Sequence, residues 1–151
     1  MELVVDPPNG VGPILIGMPF SQAQEALRFI DGFIPSDPGK KVVTAIAYYE
    51  SEMSIGLEQD RNRNVRSVEV YRPSREFDVV FRGFSIFGRT ATEVIRELSK
   101  STRVEIEDEG LRVVAPDLLI SLWRAVLPED ECDEDGRYFE SVLVALPGYY
   151  E

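Results

Sequence analysis

Two heptapeptides constrain this chain more than any other feature. SVEVYRP at residues 67–73 and SVLVALP at residues 141–147 agree at Ser, Val, Val and Pro. SIGL at 54–57 and LISL at 119–122 agree more loosely. Each heptapeptide closes a series of β-like runs that follows a short amphipathic stretch, so the sequence reads as two copies of one unit. The second copy ends the chain as RYFESVLVALPGYYE, residues 137–151. A run as apolar as residues 142–146 would template aggregation at an exposed sheet edge. It is therefore expected inside a sheet, with a strand on either side.

The two amphipathic stretches carry the same helix signals. In MPFSQAQEALRFI, residues 18–30, Ser21 and Gln24 have capping-box spacing, and Ala23, Ala26, Leu27 and Ile30 share one helical face. In GRTATEVIRELSK, residues 88–100, Thr90 and Glu93 form the box, and Ala91, Val94, Ile95 and Leu98 form the face. Both helices are one-sided, so each should lie on a sheet. Gly32 is placed to end the first helix.

KVVTAIAYYE (41–50), MSIGLEQD (53–60) and VRSVEVYRP (65–73) read as strands after the first helix, with a polar turn at DRNRN. RVEIEDEG (103–110), LRVVAPDLLISLWRAV (111–126) and RYFESVLVALP (137–147) follow the second, with Pro116 bulging, breaking or edging its strand. FDVVFRGFSIF (77–87) reads as a bridge between the halves. The expectation is an α+β fold in one domain, residues 1–151, with pseudo-repeat halves at 12–73 and 77–147. Two α-β-β-β units would share one antiparallel sheet of about six to eight strands, both helices covering one face.

Two resemblances accompany this reading. YFESVLVALPGYY and LLISLWR resemble segments of an uncharacterised actinobacterial protein family, which implies no activity. IGMPFSQAQEAL resembles the strand–Gly–Met–helix start of beta-lactamase-inhibitor-like domains and small outer-membrane assembly lipoproteins. Those families place the Ser or Thr cap directly after Gly-Met, whereas Pro19 and Phe20 intervene here. The resemblance implies an α+β repeat and raises inhibition of an enzyme as a function.

The composition narrows the chemistry. The 151 residues contain no histidine and one cysteine, Cys132, so Ser-His-Asp catalysis, Cys-His catalysis and an intrachain disulfide are excluded. Cys132 sits among carboxylates that disfavour its thiolate. The glycines of NGVGPILIG match no phosphate-loop spacing. Setting Gly136 as the glycine of a calcium loop puts Glu131, Asp133 and Asp135 at early ligand positions, but Val142 falls where a bidentate Glu is needed. Asp130, Asp133 and Asp135 remain candidates for loose cation binding, and no cofactor is expected. With 27 acidic and 16 basic residues, the net charge of −11 opposes nucleic acid and anionic membranes and favours a basic protein partner. MELVVDPPNG has neither the basic nor the apolar region of a signal peptide, and one cysteine suits a reducing cytoplasm.

Strand alternation gives the candidate site. If Ile55, Leu57, Val68, Val70, Ile120, Leu122, Val142 and Val144 face the helices, the opposite face carries Ser54, Glu58, Ser67, Glu69, Tyr71, Ser121 and Trp123. Trp123, Tyr71, Ser121 and Glu69 are the candidate partner-binding residues, Trp123 being either an exposed anchor or a core residue. The sharpest functional expectation is a cytoplasmic, non-enzymatic protein-binding domain of the immunity or inhibitor type. A small-ligand domain with a pocket between sheet and helices, and a carboxylate-dependent hydrolase, are the alternatives.

Overall fold

The computed structural model of the protein describes residues 2–35, 46–74, 77–130, 132–134 and 136–147. The first part of the chain forms β1 (Glu2–Asp6), β2 (Gly10–Val11), β3 (Ile14–Leu15), helix α1 (Phe20–Leu27), β4 (Phe33–Ile34), β5 (Ile46–Tyr49), β6 (Ser54–Gln59) and β7 (Val65–Tyr71). The second forms β8 (Asp78–Phe81), β9 (Phe84–Ser85), helix α2 (Ala91–Ser99), β10 (Glu105–Glu107), β11 (Arg112–Ala115), β12 (Ile120–Trp123) and β13 (Ser141–Ala145). The fold is α+β.

The larger sheet has eight antiparallel strands in the order β10-β11-β12-β13-β7-β6-β5-β4. The matched heptapeptides meet at its centre, where Val68 pairs with Val144, Glu69 with Leu143 and Val70 with Val142. β13 also pairs with β12, so this apolar strand has a neighbour on each side. Its aggregation-prone edge is thereby removed.

The single-sheet, three-strand-per-helix expectation needs correction. Among the described residues there are two sheets, the second having five strands in the order β3-β2-β1-β8-β9. Residues 77–87 do not bridge the halves within the large sheet. They fold back at Arg82 and Gly83, whose φ angles are 48° and 86°, into the β8–β9 hairpin. β8 then pairs in parallel with β1, a strand that the alternation had not revealed. The physical reason lies in β8 itself: Val79, Val80 and Phe81 are consecutive and all buried, which suits a strand covered on both faces. Four strands of the larger sheet, not three, follow each helix. After α2 the extra one arises at Pro116, which ends β11. A turn follows in which Leu118 N–H bonds Ala115 O at 3.1 Å and Leu119 takes φ 58°. After α1 it is β4, which starts immediately after the chain reversal at Gly32 and pairs with β5. Residues 41–45 of the first predicted strand lie outside the described residues.

The helices differ at their starts. Thr90 and Glu93 complete the predicted capping box of α2. Ser21 does not cap α1; Pro19 occupies the cap position and makes no side-chain bond. Tertiary backbone bonds do the work there: Phe20 N–H donates to Arg63 O at 2.8 Å, in the turn joining β6 to β7. Ala23 and Leu27 of α1 and Ala91, Val94 and Leu98 of α2 enter one core cluster. They meet there all eight inward residues that alternation had assigned, from Ile55 to Val144. Each such side chain contributes about 1.5–3 kcal/mol by leaving water.

Candidate functional site

Because the core takes alternate residues of the large sheet, the intervening ones point to its other face. Register makes them into rows. One row runs Glu107–Arg112–Trp123–Ser141–Tyr71–Ser54 across β10, β11, β12, β13, β7 and β6. The next runs Glu105–Val114–Ser121–Leu143–Glu69–Gly56. Both rows contribute to a groove of volume ≈ 1040 Å³ on this face. A sheet face that encloses such a volume between five strands is concave. Arg103 and residues of the β11–β12 turn also line the groove.

All four residues expected to bind a partner line this groove: Trp123, Tyr71, Ser121 and Glu69. Trp123 and Tyr71 are each 39% exposed, so Trp123 is not a core residue of this chain. Glu58 and Ser54 also face outward. Ser67 lies on the same side by register, yet it is buried opposite Ala145.

Polar contacts fix the middle of the groove. Tyr71 donates its hydroxyl to Glu69 Oε1 at 2.7 Å, and Ser141 donates to Glu69 Oε2 at 3.0 Å. The hydrogen bond to Glu69, then burial, then the negative charge of Glu69 push the Tyr71 phenol up to about 12. Arg103 Nη2 stands 3.9 Å from both Glu105 Oε1 and Asp117 Oδ1. The groove thus has four carboxylates, Glu69, Glu105, Glu107 and Asp117, against the guanidiniums of Arg103 and Arg112.

Ser141 and Leu143 were missed by the sequence reading, although the parity that sends Val142 and Val144 inward sends them outward. Arg112 was missed because alternation was assigned only to the part of its run after Pro116. Arg124 was missed because charged side chains are rarely buried. It follows Trp123, lies inside, and donates Nε to Gly110 O at 3.0 Å and Nη1 to Gly136 O at 2.9 Å. Its guanidinium is 5.6 Å from the Phe139 ring centroid, and burial pushes its pKa down. At Gly136, with φ 75°, a Cβ would collide with the carbonyl of Val126. Arg124 and Gly136 together pin the acidic loop beneath the end of β12.

In that loop two of the predicted cation ligands accept backbone hydrogen bonds. Asp130 Oδ1 accepts from Cys132 N–H at 2.8 Å and Asp133 Oδ2 accepts from Glu129 N–H at 2.9 Å, so both carboxylates bind their own backbone. Asp135 lies outside the described residues. Among the described residues no group of three or more His, Cys, Asp or Glu side chains could hold a metal ion, and no helix is long and apolar enough to cross a membrane.

No family model, curated protein or solved structure matches this chain.

Proposed function

We propose that this protein is a non-enzymatic, cytoplasmic binding domain that receives another protein on the concave face of its eight-stranded sheet, acting as an immunity or inhibitor protein. The observation that carries the reading is the groove itself, with Trp123 and Tyr71 exposed in it beside a surplus of carboxylates. Partly exposed aromatics in a concavity are the residue types that anchor protein interfaces. The net charge of −11 would speed encounter with a basic partner. The resemblance of residues 16–27 to beta-lactamase-inhibitor-like domains points the same way.

The small-ligand alternative wanted a pocket between helices and sheet, and the large groove is on the other side of the sheet. The hydrolase alternative needs a carboxylate pair presented to a substrate. Here Glu69 is held by two hydroxyls, and Glu105 and Asp117 stand beside Arg103.

A diazirine analogue of leucine at position 143, in the groove, tests the reading against the same analogue at exposed Leu15 of β3. Irradiation in native lysate should give a discrete protein adduct from position 143 and none from position 15. Trp123→Ala should abolish that adduct. Adducts of equal yield from both positions, or none from position 143, would refute the reading.

A further inference from the structure

Trp123 and Tyr71 stand in one register row, separated only by Ser141 of β13. Neighbouring strands lie about 4.8 Å apart, so these two aromatic residues are about 9.6 Å apart at the backbone. A planar group stacked on a ring needs about 3.5 Å on each side. Ser141 between them is buried and bonded to the Glu69 carboxylate, so a planar group held between the two aromatic side chains would lie over that carboxylate. Both flanking residues leave more than a third of their surface open to solvent, at 39% exposure.

Glu69 supplies the charge there. Its two oxygens each accept one hydroxyl, from Tyr71 and from Ser141, which fixes the carboxylate between the two aromatic positions. A carboxylate offers about four acceptor positions, so each oxygen retains one. The guanidiniums of the groove lie to one side: Arg112 is on the far flank of Trp123 with Glu107 beyond it, and Arg103 is beside Glu105 and Asp117.

We propose that Trp123, Tyr71 and Glu69 form a subsite for one arginine side chain of a basic protein partner. The proposal rests on the protein-binding reading above and states what that face recognises. A guanidinium is planar, stacks on aromatic faces and presents a fork that matches two carboxylate oxygens. A lysine ammonium is a compact, strongly hydrated point charge that uses neither the slot's flatness nor both oxygens. An anionic group would meet the surplus of carboxylates.

The probes are blocked Gly-Xaa-Gly peptides in which Xaa is arginine, lysine or citrulline. They are titrated into the full chain and followed by the emission of Trp123, the one tryptophan. The arginine peptide should saturate and bind about tenfold tighter than citrulline, which keeps the shape and lacks the charge, with lysine between them. Glu69→Gln keeps one oxygen that accepts from one hydroxyl, and its amide N–H donates to the other hydroxyl oxygen, so it should keep the melting temperature while losing about tenfold in arginine affinity. Equal binding of arginine and citrulline, no saturable change, or an arginine affinity untouched by Glu69→Gln would each overturn the subsite. The two readings separate through the photoreactive residue at position 143. An adduct of undiminished yield in Glu69→Gln removes the arginine subsite and leaves the binding face standing. Loss of the adduct in Glu69→Gln supports the subsite.

Discussion

The two faces of β7 and β13 share one backbone and do opposite work. Inward, Val68, Val70, Val142 and Val144 are wholly buried and interchangeable in kind. Outward, the same strands carry Glu69, Tyr71, Ser141 and Leu143, which differ in charge, size and hydrogen bonding. The inner face repeats between the halves because both helices need the same apolar surface. The outer face does not repeat: Glu69 pairs with Leu143, and Tyr71 with Ser141. Packing against one core constrains residues to be alike, whereas a groove read by a partner gains from their being different.

The largest effect expected on this comparison is from Val144→Asp. A carboxylate placed in the core layer should cost about 3–5 kcal/mol or more, leaving the protein unfolded or insoluble. Leu143→Thr, one residue away on the outer face, should cost about 1 kcal/mol or less. Denaturant titration checks both, and a folded Val144→Asp variant with a near-normal midpoint would break the inward assignment. Next comes a pair of aromatic truncations. Phe139→Ala empties a fully buried site and should cost about 3–5 kcal/mol. Trp123→Ala should cost under about 1 kcal/mol and act on partner capture instead. Iodide should quench Trp123 emission readily in the isolated chain.

A smaller effect belongs to Tyr71. Its folded phenol is pushed up to about 12, above the value of about 10 in an unfolded chain. The folded state therefore keeps a proton that the unfolded state releases. The resulting stabilisation is whole below about pH 10 and disappears as the pH rises through the folded value. It is modest, because the side chain is exposed enough for solvent to screen it. Phenolate absorbance, taken as the difference from Tyr71→Phe, should show the late titration, and Glu69→Gln should move it back toward the ordinary range. The smallest expected effect is that of calcium: melts in EDTA and in millimolar calcium should coincide. A rise of several degrees with calcium, lost in Asp130→Asn/Asp133→Asn, would make the acidic loop a cation site.

The sequence by itself determined the alternation. Period-two patterning placed Ile55, Leu57, Ile120, Leu122 and the four central valines on one side, and thereby put Trp123 and Tyr71 on the other. It also determined the α2 cap, because a capping box is local chemistry between Thr90 and Glu93. Tertiary structure decided what local signals cannot carry. The start of α1 depends on the carbonyl of Arg63, which is distant in sequence. The second sheet exists because β8, buried on both sides, finds β1 across about half of the chain. The groove required register: only the pairing of β12 with β13 and of β13 with β7 brings Trp123, Ser141 and Tyr71 into one row. That same register brings Glu69 to the hydroxyl of Ser141, 72 residues away. Patterning along a strand fixes which side a residue faces, and pairing between strands fixes which residue stands beside it.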